Sequence, residues 1–134
     1  MDEQQYKART KRLALDVLRM TELLPRTRIA DIVARQLIRS ASSVGANYRA
    51  SCRARSAEEV VAKLAIVEEE ADESLYWLEI IVDSKLMDEE MIRPLMQEAN
   101  EILAMTVASK KTLKSRIAQG GFIRRPVRIE NRES

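Results

Sequence analysis

Two sets of residues in this 134-residue chain are of types and spacings that could do chemistry. The first is the acidic run EEEADE, Glu68 to Glu73, which on a helix places carboxylates at i, i+3 and i+4. Inward carboxylates of this kind hold di-metal centres in helical bundles, but those centres also require Glu-x-x-His pairs. The chain has no histidine. That removes the usual metal ligand and the usual general base near neutral pH. No phosphate-cradling Gly-rich loop and no Ser/His arrangement is present. Two carboxylates alone could serve glycoside hydrolysis, but no insertion that would form a pocket accompanies them. The expectation is a protein without enzymatic activity, metal or cofactor.

The second set is an arginine series around RSASSVGANYRASCRARS, Arg39 to Ser56. On a helical wheel at about 100° per residue, Val33, Ala34, Leu37, Ala41, Val44, Tyr48 and Cys52 fall in one arc. Arg28, Arg35, Arg39, Arg49 and Arg53 fall on the opposite side, with Ser42 and Ala46 among them. A loop has no reason to keep that register, so the stretch is a helix. From Arg28 to Arg53 it spans roughly 37 Å at 1.5 Å per residue. Guanidinium groups stay charged and donate paired hydrogen bonds to phosphate, so the series fits a polyanion. The same arginines could instead pair with the acidic third helix or form a solvated face, and the sequence leaves these readings open. Small residues such as Ala41, Ser43, Gly45 and Ala46 would let another helix approach closely. Asn47 is expected to make a structural hydrogen bond across the bundle. Cys52, the single cysteine, reads as a small core residue and excludes an internal disulfide.

The elements that position these residues are helical. Gly (3), Pro (3) and aromatic residues (4%) are scarce, and the length suits one domain with a single core. A first helix carries the stripe Tyr6, Leu13, Val17, Met20 and Leu24 and is ended by Pro25. A second runs from about Thr27 to Ala54. A third opens at Ser56, with Glu59 as capping-box partner, and carries Val60, Leu64, Val67, Ala71, Leu75, Leu78 and Val82 to about Ser84. A fourth opens at Asp88 and presents Met91, Ile92, Leu95, Ala99, Ile102, Thr106 and Leu113 near one face before fading near Arg116. Short connections force antiparallel neighbours, so the expected fold is all-α: an up-and-down four-helix bundle over residues 1–116. Residues 117–134 read as a flexible basic tail, with Arg124 and Arg125 as further phosphate contacts. Ala62, Ile66, Trp77 and Ile80 form a second apolar patch on the third helix, which points to a subunit interface.

Charge is distributed in blocks: net +7 over residues 1–55, −11 over 56–105 and +6 over 106–134. Such polarity steers partners, or else the blocks neutralise one another between packed helices. No apolar run reaches membrane-spanning length and the N-terminus lacks a signal-peptide centre, so a soluble cytoplasmic protein is expected.

Three stretches carry a resemblance: LALDVLRMTELLP, RQLIRSASSVGANYRASCRARS and KLAIVEEEADESLYWLEIIVDSKLM. Over about residues 8–115 the chain resembles the small bacterial four-helix-bundle proteins first known from intervening sequences of 23S ribosomal RNA genes. Many members read Ile-Pro-Ala-Asn-Ile-Ala-Glu-Gly in the second helix. Here the stretch is Val44-Gly45-Ala46-Asn47-Tyr48-Arg49-Ala50-Ser51, so the Asn is kept while the Pro and the acidic residue are not. The resemblance implies a homopentameric ring of bundles. It also implies kinship with the accessory protein of diversity-generating retroelements, which works with a reverse transcriptase and its template RNA. The leading expectation is an oligomeric protein that binds nucleic acid, RNA before DNA, through the arginines of the second helix and the basic tail. The alternative is an interaction scaffold, such as a reverse-transcriptase accessory factor, whose acidic face (Glu68, Glu69, Asp72, Glu73) docks a basic partner.

Overall fold

A computed structural model describes residues 1–120, and these form four helices: α1 (Glu3–Thr21), α2 (Arg28–Cys52), α3 (Ala57–Asp83) and α4 (Glu89–Gln119). Each start has a local cause. Asp2 and Gln5 form a reciprocal capping box on α1, and the Thr27 hydroxyl accepts from the Ala30 N–H at 3.1 Å to open α2. Ser56 accepts from the Glu59 N–H at 3.1 Å. Glu59 does not complete the expected box with Ser56, because its carboxylate accepts from the Arg55 N–H at 2.7 Å instead. Asp88 occupies the N-cap of α4 without a side-chain hydrogen bond. The turn after α3 is a Schellman closure: the Leu86 N–H reaches the Ile81 carbonyl and the Lys85 N–H the Val82 carbonyl, each at 3.0 Å. That closure puts Lys85 in the left-handed region at φ 61°. Helix α4 continues three residues beyond the expected limit of the bundle at 116 and stops at Gly120, φ 80°. Residues 121–134 of the expected basic tail, Arg124 and Arg125 among them, lie outside the described residues.

Consecutive helices pack side by side, and α1 closes the bundle against α4 along its sparsest seam. Buried positions on α3 are Ala57, Val60, Leu64, Val67, Ala71, Ser74, Leu78 and Ile81, a heptad seam that meets its neighbours on one side. Leu75 and Val82, expected in this core, are only half-buried, and Ser74 and Ile81 take their places. The reason is a polar contact inside the core: the Ser74 hydroxyl donates to Ser40 on α2 at 3.0 Å, with the Glu70 carbonyl also in reach at 2.9 Å. Thr10, Ser51 and Thr106 are likewise buried, each bonded to a carbonyl three or four residues back in its own helix. Tyr6 crosses from α1 to hydrogen-bond Thr106 on α4 and stacks on Tyr48 of α2, ring centroids 3.9 Å apart. Ala34, expected in the α2 core arc, is half-buried, and Met91, expected on the apolar face of α4, stands exposed in that helix's first turn. Asn47 also departs from expectation. Its amide donates to the carbonyl and hydroxyl of Ser43, at 2.9 and 2.8 Å, within its own helix and not across the bundle.

Candidate nucleic-acid interface

The four arginines of α2 and Arg53 at its C-cap are all exposed on one side, as the wheel requires, yet their surroundings divide them. Arg39 leans towards α3, where its guanidinium lies 3.2 Å from Glu70 and 2.6 Å from Glu73. Glu73 also accepts from the indole N–H of Trp77 at 3.1 Å. Arg39 first, and Trp77 after it, hold the Glu73 carboxyl below the usual carboxylate range. Arg35 pairs with Asp31 one turn back at 3.2 Å, both side chains largely in solvent. Arg28 is exposed beside the α1–α2 turn. Thus the middle of the series is already matched by carboxylates.

Arg49 and Arg53 have a different setting. They line a groove of about 540 Å³ between α1 and α2, and Lys7 and Lys11 face them from α1. The antiparallel register of the two helices brings the start of α1 beside the end of α2, so cations far apart in sequence converge. Small residues, among them Ala8, Ala14, Gly45 and Ala46, line the groove, and no carboxylate does among the described residues. Gly45 faces Thr10 across the groove, where a Cβ would stand 3.4 Å from the Thr10 backbone, at van der Waals contact. Lys7 pairs with Glu3 at 3.0 Å. Lys11, Arg49 and Arg53 have no carboxylate within pairing distance among the described residues. Lys7 and Lys11 were not singled out from sequence. Their signal is the i, i+4 spacing on the polar face of α1, which gains meaning only once α1 is set against α2.

The remaining sequence candidates are placed as follows. On α3, Glu70 and Glu73 are held by Arg39, and Glu68 lies 2.6 Å from Lys110 of α4, while Glu69 and Asp72 face solvent. Among the described residues no group of three or more metal-ligating side chains gathers. Cys52 is buried in the core, and that burial pushes its thiol up. Of the expected interface patch, Ala62 is exposed and Ile66 half-buried, whereas Trp77 and Ile80 pack partly against the chain's own core. Leu23, Ile29 and Ile32, which sequence reasoning did not select, are among the most exposed large apolar side chains. Arg9, also missed, bridges the α1–α4 seam with a two-pronged contact to Glu98 at 2.6 and 2.7 Å and a third to Glu101 at 2.7 Å. No helix among the described residues is long and apolar enough to cross a membrane.

Residues 2–108 match the 23S rRNA-intervening sequence protein family. The chain belongs to that family. The match takes in α1, α2, α3 and most of α4, so both walls of the basic groove fall inside it. The fold is similar to a solved structure from Bacteroides thetaiotaomicron, a protein of unknown function from the S23 ribosomal protein family. The two share 25% sequence identity with a TM-score of 0.77, over 83% of this chain and 99% of the other. Among curated proteins nothing matches.

Proposed function

We propose that this protein is a non-enzymatic nucleic-acid-binding protein, preferring RNA, whose backbone contact is the α1–α2 groove. The observation that carries the reading is the convergence of Lys7, Lys11, Arg49 and Arg53 on a groove without carboxylates. An anionic strand that enters it gains charge-assisted hydrogen bonds without displacing an existing ion pair at Lys11, Arg49 or Arg53. Among the described residues no aromatic ring lines the groove for base stacking, so recognition rests on phosphates and shape, not on sequence. The family's name, with its reference to 23S rRNA, supports RNA as the ligand. Self-association would align several such grooves and multiply a weak contact.

The interaction-scaffold reading has less support, since two of the four acids it relies on, Glu68 and Glu73, are engaged within the chain. Fluorescence anisotropy with a structured RNA and a matched DNA duplex tests the proposal. Salt-sensitive binding that is lost in K11Q/R49Q/R53Q, and retained in R35Q/R39Q, is the expected result. Binding that is insensitive to salt, or unaffected by the triple change, would overturn it.

A further inference from the structure

At the end of the bundle where α1 and α3 begin and α2 and α4 finish, the α1–α4 seam opens into a second cleft, of about 530 Å³. Its inner surface is apolar and aromatic, with Tyr6, Tyr48, Val60, Leu64 and Leu113. Glu3 forms part of the wall, and its side chain is only 7% exposed. One of its oxygens, Oε2, meets Lys7 at 3.0 Å. The other, Oε1, is buried and accepts no hydrogen bond. A buried carboxylate oxygen without a donor is costly, and native structures rarely leave one so.

The surroundings select the sign of the missing partner. Burial above all, with Cys52 and Glu3 close by, pushes the Tyr48 hydroxyl up, and burial does the same to the Cys52 thiol. Both groups therefore stay neutral, and the carboxyl groups lining the cleft are Glu3 in its wall and Asp2 at its exposed lip. An anion would meet the Glu3 carboxylate there, and the one cation paired with it, Lys7, is already taken up at Oε2. A metal ion would find too few ligands, since no cluster of three donors gathers among the described residues. Arg116, at the edge of the cleft, is already engaged. What fits is one N–H donor with a positive charge, carried on a short apolar body that packs against the tyrosines and aliphatic side chains.

We propose that this cleft binds a small primary aliphatic amine, its ammonium donating to Glu3 Oε1 and its hydrocarbon chain lying against Tyr48, Leu64 and Leu113. The site is separate from the α1–α2 groove, and neither reading depends on the other. The test is an NMR titration of the full chain with n-butylammonium chloride, and with 1-butanol at matched ionic strength as the neutral isostere. Amide signals of Glu3, Tyr48 and Ser109 should shift saturably with the amine and not with the alcohol. E3Q keeps the volume but removes the charge, and should weaken binding by about tenfold or more. Should E3Q perturb α1, S109F blocks the cleft from α4 with Glu3 intact and should abolish the shifts. Equal response to amine and alcohol, no saturable shift, or undiminished binding in folded E3Q or S109F would each overturn the proposal.

Discussion

Changing Lys11, Arg49 and Arg53 to Gln removes three of the four groove cations and breaks none of the ion pairs among the described residues. For duplex DNA each neutralised phosphate contributes about −0.9 to the slope of log K against log salt, so four contacts give a slope of about −3.6. Between roughly 50 and 200 mM salt the wild type should then lose about 150-fold in affinity. The triple variant keeps only Lys7, whose slope of about −0.9 corresponds to a loss of only about 3.5-fold over the same range. For single-stranded RNA the slope per contact is nearer −0.7, and the contrast shrinks accordingly. The assay is anisotropy at several salt concentrations, with far-UV circular dichroism to confirm that each variant stays helical. R35Q/R39Q serves as the comparison, because those two guanidinium groups already sit on Asp31, Glu70 and Glu73. Its slope should stay near the wild-type value. A slope that falls as far in R35Q/R39Q as in the triple variant would refute the groove and restore the whole arginine series as the binding surface.

Three stability predictions follow from local geometry. Gly45→Ala should stabilise the protein by about 0.5–1 kcal/mol in urea denaturation, since Ala restores helix propensity and its Cβ meets Thr10 at an ordinary 3.4 Å; a loss of stability would show that α1 cannot accept even a methyl group. Lys85→Gly should add about 1 kcal/mol, because Lys85 sits at φ 61° in the C′ position of the closure that ends α3. Glu73 has its folded pKa depressed by Arg39 and Trp77. Its contribution is therefore complete above the ordinary carboxylate range and is lost as pH falls beneath that range through the lowered value. Trp77 is the one tryptophan of the chain, so its emission should shift over that acid limb, and E73Q should shift it at neutral pH and flatten the limb.

The helices were legible because their apolar spacing is regular, and where that spacing misled on α3 the cause is physical. A hydroxyl reads as polar in sequence, yet in a helix it can bond the carbonyl three or four residues back and so enter a core at little cost. Ser40, Ser51, Ser74, Thr10 and Thr106 all do this. With Ser74 excluded as polar, the α3 stripe was drawn through Leu75 and Val82, one residue off the true seam. Asn47 was misread for a related reason: Ser43, one turn back, satisfies its amide locally. The candidate site was half legible. A wheel shows that the arginines of α2 point outward, but not which neighbouring helix each one meets.

That distinction also settles how the charge blocks are used. Where the basic first block faces the acidic middle one, it is neutralised across helices: Arg9 by Glu98 and Glu101, Arg39 by Glu70 and Glu73. Where it faces itself, between α1 and α2, no acid among the described residues is within reach to answer Lys11, Arg49 and Arg53. Placing like charges side by side in this way costs stability through mutual repulsion, and the fold does not need them there, because the groove between the helices is lined by Gly45 and alanines. Charges that the packing does not require, held together by the register of two helices, are what an external anion would relieve. On this argument a polyanion should raise the stability of the wild type more than that of K11Q/R49Q/R53Q, and the unliganded triple variant should be no less stable than the wild type.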